Sequence, residues 1–300
     1  MPFSTQAKIL LLIILMAFPC HLRAQDHDAI PRFFLMGDGQ IQIAGQKVIF
    51  RSPEGHYLET GLKKLNTLLN NQQKDPLLQM NLRFLEVLDY LQDQLKGGNY
   101  QVRSGYRSPQ YNQSLRKQGK MAAQSSMHIE GAAADLILTG VPSQKVFDYV
   151  KSLDCCGIGF YHSAHFHLDT GPSRYWDEKT SKTESKKPQQ NSKVILQTQF
   201  DYYQRGEEVY LSLMRVTEFP IGIKKEAKIL MEKSEKNWTE NLFSENSCQI
   251  LHSQIEARHL KLKLPQKIKK GTAQIQVEFC GDFDYPEMPK VLNSRTFEIK

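Results

Sequence analysis

The sequence predicts an α+β domain followed by an all-β domain. Before residue 179, apolar residues recur at intervals near 3.6, which is typical of helices, and these segments alternate with short β-prone runs. After residue 193 the apolar period becomes two, as expected for half-buried strands. Residues 179–193 contain five lysines and no apolar residue, which predicts a solvated basic linker. We therefore expect domains at residues 25–178 and 194–300.

The first 24 residues have the layout of a secretory signal peptide. Lys8 provides a short basic start, residues 9–18 form an unbroken apolar run, and Ala24 is a small residue at the expected cleavage position. The alternative is a membrane anchor, but the run is shorter than the roughly 20 residues that span a bilayer. We expect an exported mature chain that is not transmembrane. Export also excludes nucleic acid as a partner of the basic linker.

Four cysteines remain after the predicted cleavage, and an oxidising compartment allows them to pair. Cys248 with Cys280 is the preferred pair because both lie in the second half of the chain. The adjacent Cys155 and Cys156 would close only a small ring. The alternative is that these two are free, partly buried thiols.

Three helices are predicted in the first domain. The first carries one apolar stripe at helical spacing, formed by Leu62, Leu65, Leu68 and Leu69. The second has Asp75 as a suitable N-cap and Pro76 at its first position, and ends at Gly97 and Gly98. The third covers residues 143–153.

Short strands are predicted at residues 100–104, 133–138, 157–161 and 165–169, as a small antiparallel sheet flanked by helices. In the second domain, Val209, Leu211 and Leu213 alternate with their neighbours, and a similar alternation covers residues 273–279. An antiparallel sandwich of about seven strands is the natural interpretation. It would be an accessory domain, because it contains no cluster of candidate catalytic residues.

Candidate catalytic chemistry is concentrated within 42 residues, at His128, Asp135, His165, His167 and Asp169. If residues 165–169 are extended, alternate side chains project from one face, so the two histidines and the aspartate of this strand lie together. Zinc hydrolases use three ligands drawn from histidine and carboxylate and leave a fourth position for water. A surface strand with a solvated polar face is the alternative.

Several segments resemble the murein endopeptidase K type of periplasmic peptidase: FFLMGDGQ, SGYRSPQYN, MHIEGAAADL and GFYHSAHFHLDTGPSRYW. His128, six residues and Asp135, together with His165-Phe-His167, resemble the signature of the superfamily named for lysostaphin, D-Ala-D-Ala metallopeptidases and hedgehog. The resemblance covers residues 32–176 and does not extend past the linker.

The resemblance implies one zinc ion bound by His128, Asp135 and His167. Arg107 stands where the family has an arginine that faces the substrate. From the residues alone, the alternative is that Arg107 and Tyr106 close a turn before Pro109.

The sequence leaves two candidates for the proton acceptor of the reaction. His165 stands where some superfamily members have a catalytic histidine, whereas Ala164 stands where another branch keeps a glutamate as general base. Asp169 is the other candidate, or else it orients an imidazole.

As a function, the resemblance implies zinc-dependent hydrolysis of peptide bonds in peptidoglycan stem peptides or cross-links, by an endopeptidase or a carboxypeptidase. The protein would act in the periplasm or at the cell wall. The alternative is a non-catalytic peptidoglycan-binding protein with the same fold. Retention of all three ligand types favours the enzyme.

Overall fold

A computed structural model describes residues 31–120, 122–180, 189–233 and 237–300. The predicted signal peptide and the middle of the predicted linker lie outside these residues. The described chain is mixed α and β, with one large apolar core between residues 41 and 168 and another between residues 194 and 299. None of its helices is long and apolar enough to cross a membrane.

The first half is built on one seven-stranded sheet with the order β2-β1-β3-β4-β6-β5-β7. Its strands are β1 (Gln40–Ile43), β2 (Gln46–Ile49), β3 (Tyr100–Ser104), β4 (Ala133–Leu138), β5 (Gly157–Phe160), β6 (Phe166–Asp169) and β7 (Arg174–Asp177). The pairs β1–β3 and β5–β7 are parallel and the others antiparallel. The prediction of a small antiparallel sheet is therefore too simple, since it omits β1, β2 and β7.

Four helices accompany this sheet: α1 (Glu59–Leu68), α2 (Leu82–Leu95), α3 (Pro109–Lys117) and α4 (Ser143–Leu153). The predicted start of the second helix is wrong. Residues Pro76–Leu78 form only a 3-10 turn, and α2 begins after Asn81, whose side chain accepts the backbone N–H of Arg83 at 2.9 Å. The turn ends early because the Asn66 side chain accepts the backbone N–H of Met80 at 2.8 Å.

The second half is almost entirely β. Its elements are β8 (Ile195–Thr198), β9 (Tyr202–Tyr203), β10 (Glu208–Met214), β11 (Ile221–Lys224), β12 (Glu226–Met231), β13 (Trp238–Asn241), β14 (Cys248–Leu251), α5 (Gln254–Arg258), β15 (Leu260–Lys263), β16 (Gly271–Cys280), β17 (Val291–Asn293) and β18 (Phe297–Ile299). A three-stranded sheet, β15-β10-β8, and an eight-stranded sheet centred on β16 share one core. The described residues thus form more strands than the seven or so predicted.

Both cysteine pairs are disulfide-bonded. The bond between Cys248 and Cys280 joins β14 to β16 and confirms the preferred pairing. Cys155 and Cys156 are bonded to each other, so of the two alternatives the structure has the small ring and not the free thiols.

The two halves are in close contact. Arg83 of α2 forms a buried ion pair with Asp201 of the β-rich half. Asn191, at the end of the predicted linker, is fully buried, and its side-chain oxygen accepts the backbone N–H groups of Thr217 and Glu218. The end of the predicted linker therefore packs against the second half at Asn191, whereas Gln189 hydrogen-bonds to Gln124 and Ser125 of the first half.

Candidate metal centre

Neighbouring strands carry two of the proposed zinc ligands. Asp135 of β4 lies directly opposite His167 of β6 in an antiparallel register. His128 lies in the turn that precedes β4, and Gly131 gives this turn its shape with a positive φ of 64°. A Cβ at Gly131 would lie 2.6 Å from the carbonyl oxygen of Gln79, so the turn has no room for a larger residue.

The three side chains bring one ligand atom each to a common point. His128 Nε2 lies 3.2 Å from His167 Nδ1, and Asp135 Oδ1 lies 3.0 Å from His167 Nδ1 and 3.5 Å from His128 Nε2. A tetrahedral ion with bonds of about 2.0 to 2.1 Å separates its ligands by about 3.3 Å, so these residues fit zinc. The described residues contain one other group able to hold a metal, the all-carboxylate set Asp38, Asp89 and Asp93.

Hydrogen bonds behind the imidazoles determine which nitrogens face inward as acceptors. His128 Nδ1 lies 2.7 Å from the carbonyl oxygen of Gly105, so this nitrogen carries the hydrogen. His167 Nε2 lies 2.9 Å from Asp169 Oδ2 and donates to it. The inward nitrogens then present two lone pairs to each other and to the Asp135 carboxylate. Three acceptors at this separation require a cation or a proton between them.

Burial and charge shift the pKa values of these groups in different directions. Burial lowers the pKa of His128. Burial also opposes ionisation of His167, but Asp135 and Asp169 outweigh it and raise the pKa of His167. Burial disfavours the charged forms of Asp135 and Asp169, yet the neighbouring histidines hold the pKa of each carboxylate below its usual value. Both aspartates are therefore ionised at neutral pH and attract a cation.

Arg107 holds the second oxygen of the Asp135 carboxylate. Its NH2 group donates to Asp135 Oδ2 at 2.7 Å, and its Nε donates to Ser104 Oγ at 2.9 Å. Arg107 lines the cavity, as expected of a residue that faces substrate, but this structure also gives it a positioning contact. One carboxylate oxygen is thus left for the metal position.

Asp169 lies behind His167. It is fully buried and accepts from His167, from both terminal nitrogens of Arg174 and from the backbone N–H of Gly171 at 2.8 Å. Gly157 makes room for it, because a Cβ there would overlap the Asp169 carboxylate. These contacts favour an orienting role over direct proton transfer from water.

His165 lies at the open side of the site, just before β6. It lines a cavity of about 580 Å³ together with His128, Asp135 and His167. Its ring stacks on Tyr161 with centroids 4.6 Å apart, and its Nδ1 lies 2.6 Å from Ser163 Oγ. The structure thus places His165 in the same cavity wall as the three proposed ligands.

Tyr161 is a site residue that the sequence prediction missed. Its hydroxyl lies 3.5 Å from Asp135 Oδ1, and burial raises its pKa, so it remains a proton donor at neutral pH. No periodic pattern in the surrounding sequence identifies Tyr161 as a residue of the site. Trp176 also contacts the proposed ligand His167, with its ring centroid 4.9 Å from that of the imidazole.

Comparison with known proteins supports the resemblance stated from the motifs. The family described as "Peptidoglycan L,D-endopeptidase MepK" matches residues 41–176. A Haemophilus influenzae protein named "Probable peptidoglycan L,D-endopeptidase MepK" is 35% identical over 118 residues, which are 38% of this chain and 63% of that relative. The Escherichia coli K12 protein named "Peptidoglycan L,D-endopeptidase MepK" is 30% identical over 122 residues, which are 40% of this chain and 67% of that relative.

The chain belongs to this family. The match to the MepK family contains Arg107, all three proposed zinc ligands, His165 and Asp169. The β-rich half lies beyond it. The chain spans about two thirds of the length of these MepK relatives, 63% of one and 67% of the other.

Proposed function

We propose that this chain is a zinc-dependent peptidoglycan endopeptidase that cuts L,D-peptide bonds of the cell wall. The observation that carries the proposal is the convergence of His128 Nε2, His167 Nδ1 and Asp135 Oδ1 within 3.5 Å of one another. The names of the MepK relatives support the substrate class. The cavity beside the proposed ligands is open on the side of His165, so it admits both a water molecule and a peptide. This supports an enzyme over a non-catalytic binding protein.

In this proposal His128, Asp135 and His167 hold one zinc ion. When bound, zinc acts as a Lewis acid that activates water near neutral pH and polarises the scissile carbonyl. Arg107 fixes the Asp135 carboxylate, and Asp169 fixes the ring of His167 with Nδ1 inward.

His165 is the proposed proton acceptor. It lies on the exposed side of the cavity, where a substrate and a water molecule can reach its ring. The Tyr161 hydroxyl is a proposed donor to the oxygen of the scissile carbonyl as negative charge develops there.

We also propose the organisation of the whole chain. Residues 1–24 are a signal peptide, residues 25–178 the peptidase domain, residues 179–193 a basic linker and residues 194–300 a sandwich-like accessory domain. Export then places the enzyme in the periplasm or at the cell wall, where its substrate lies. The two described disulfides suit that compartment.

Digestion of purified peptidoglycan tests the function. The mature protein loaded with zinc is incubated with cell wall, and the products are identified by mass spectrometry. We expect cross-linked dimers to become monomers, a chelator to stop the reaction and added zinc to restore it. His128→Ala should be inactive under all conditions. Intact cross-links in the zinc-loaded sample would refute the proposed enzymatic function.

A further inference from the structure

The β-rich half and the end of the predicted linker both contribute to the wall of the cavity beside the proposed zinc ligands. Lys193 and Arg215 line the same cavity as His128, Asp135 and His167. Both lie beyond residue 176, where the match to the MepK family ends. The cavity of this chain therefore contains cationic groups that the family match does not account for.

An apolar contact sets the position of Arg215. The preceding residue, Met214, ends β10 and is buried against Met127 and Ala133, which lie next to His128 and near Asp135 in the chain. Arg215 itself adopts a positive φ of 64°, which turns its side chain away from the direction of the strand.

Hydrogen bonds then fix the guanidinium group of Arg215. Its Nε donates to the carbonyl oxygen of Ser125 at 3.1 Å, and its NH2 group donates to Ser125 Oγ at 3.2 Å. Its backbone N–H donates to Glu130 Oε1 at 2.7 Å. Ser125 and Glu130 flank His128, so Arg215 is held at a constant position relative to a proposed zinc ligand.

The charges on the cavity wall differ in how far they are compensated. Arg107 is paired with the carboxylate of Asp135, and Arg174 with that of Asp169. The guanidinium of Arg215 instead donates to the neutral Ser125, and Lys193 is exposed at the rim.

Two further carboxylates, one bonded to the backbone of Arg215 and one in the cavity wall, leave most of this positive charge uncompensated. Glu130 is already paired with Arg258, within the described contacts. Glu178 also lines the cavity, but it is exposed to solvent, where a carboxylate interacts weakly with its neighbours.

We infer that Arg215 and Lys193 form an anion-binding subsite for a free carboxylate of a peptidoglycan stem peptide. The inference rests on the proposed function and adds a role for the β-rich half and the end of the linker. Stem peptides carry free carboxylates close to their cross-links, and a guanidinium binds a carboxylate through two parallel hydrogen bonds. The subsite selects stem peptides with free carboxylates over those in which these groups are amidated.

A matched pair of substrates tests the inference. One is a cross-linked muropeptide dimer with free diaminopimelate carboxylates, and the other is the same dimer with these groups converted to carboxamides. The KM and kcat of the zinc-loaded full chain are measured for both. The variants are Arg215→Gln, Arg215→Lys and Lys193→Gln, with Lys269→Gln as a control at an exposed lysine away from the cavity.

We expect the wild type to have a lower KM for the acid than for the amide. Arg215→Gln should raise the KM for the acid about tenfold, as for the loss of a charged hydrogen bond. Lys193→Gln should raise it about threefold, because an exposed charge contributes less. Arg215→Lys should recover part of the loss, and kcat and the KM for the amide should stay within about twofold.

A change in KM of equal size for both substrates would mean that Arg215 only supports the fold, and would overturn the subsite. An unchanged KM for the acid in both Lys193→Gln and Arg215→Gln would also overturn the subsite. If the zinc-loaded wild type cleaves neither dimer, the proposed function fails instead. Calorimetric titration with the two dimers then tests the subsite separately. If the subsite exists, the wild type binds the acid dimer more tightly than Arg215→Gln and Lys193→Gln do.

Discussion

Asp169→Asn tests whether the orientation of His167 controls metal binding. Asp169 Oδ1 accepts from Gly171 and Arg174, and Asp169 Oδ2 accepts from His167 and Arg174. An asparagine of the same size has only one acceptor oxygen, so its amide nitrogen must face one of these donors. The substitution also removes the negative charge that raises the pKa of His167. Loss of such a partner typically costs about 10- to 100-fold in metal affinity, or about 1.4 to 2.8 kcal/mol.

Competition with a chromophoric zinc chelator measures this affinity, and circular dichroism verifies that the variant is folded. Asp177→Asn is the matched control. Asp177 also accepts from a histidine, His162 Nε2 at 2.7 Å, but on the partly exposed strand β7. We expect the zinc affinity of the control to stay within about twofold of the wild type. An unchanged affinity in Asp169→Asn, or an equal loss in both variants, would refute the orienting role.

Three other substitutions test buried contacts. Gly157→Ala should weaken zinc binding about 10-fold, because the added Cβ overlaps Asp169; an unchanged affinity in the chelator assay would contradict this. Arg83→Ala should lower the free energy of unfolding by about 3 to 5 kcal/mol, because Asp201 stays buried without its partner. Urea titration measures this loss, and a value below about 1 kcal/mol would argue against burial of the ion pair. Burial raises the pKa of Asp89 from 3.8 to about 8, so its contribution to stability is present below pH 3.8 and is lost as the pH rises towards 8. The urea midpoint should fall over this range in the wild type and less steeply in Asp89→Asn, and parallel profiles would contradict the assignment.

The elements that carry the proposed ligands were predictable because their signals are local. Strands β3 and β4 and helix α4 have the predicted bounds, since their apolar residues repeat at strand or helix spacing. Strand β6 begins one residue later than predicted, and this leaves His165 outside the strand. The alternation of polar and apolar residues placed His167 and Asp169 on one face.

Contacts that depend on register or docking gave no local signal. The sequence does not determine that Asp135 pairs with His167 between β4 and β6, because several registers satisfy the same apolar pattern. The early end of the turn before α2 depends on Asn66, 14 residues away from its partner Met80. The contact of Arg215 with Ser125 spans 90 residues and depends on how two separate cores pack together.

The β-rich half supports the turn that presents His128. Glu130 in this turn is buried, and its carboxylate accepts from Arg258, from Gln254 and from the backbone of Arg215. A buried carboxylate without these partners would be strongly destabilising, so we expect removal of the second half to distort this turn. Apolar packing against Met214 acts on the same turn. Because the proposed metal position requires His128 Nε2 to remain 3.2 Å from His167 Nδ1 and 3.5 Å from Asp135 Oδ1, the β-rich half stabilises the geometry of the centre as well as lining its cavity.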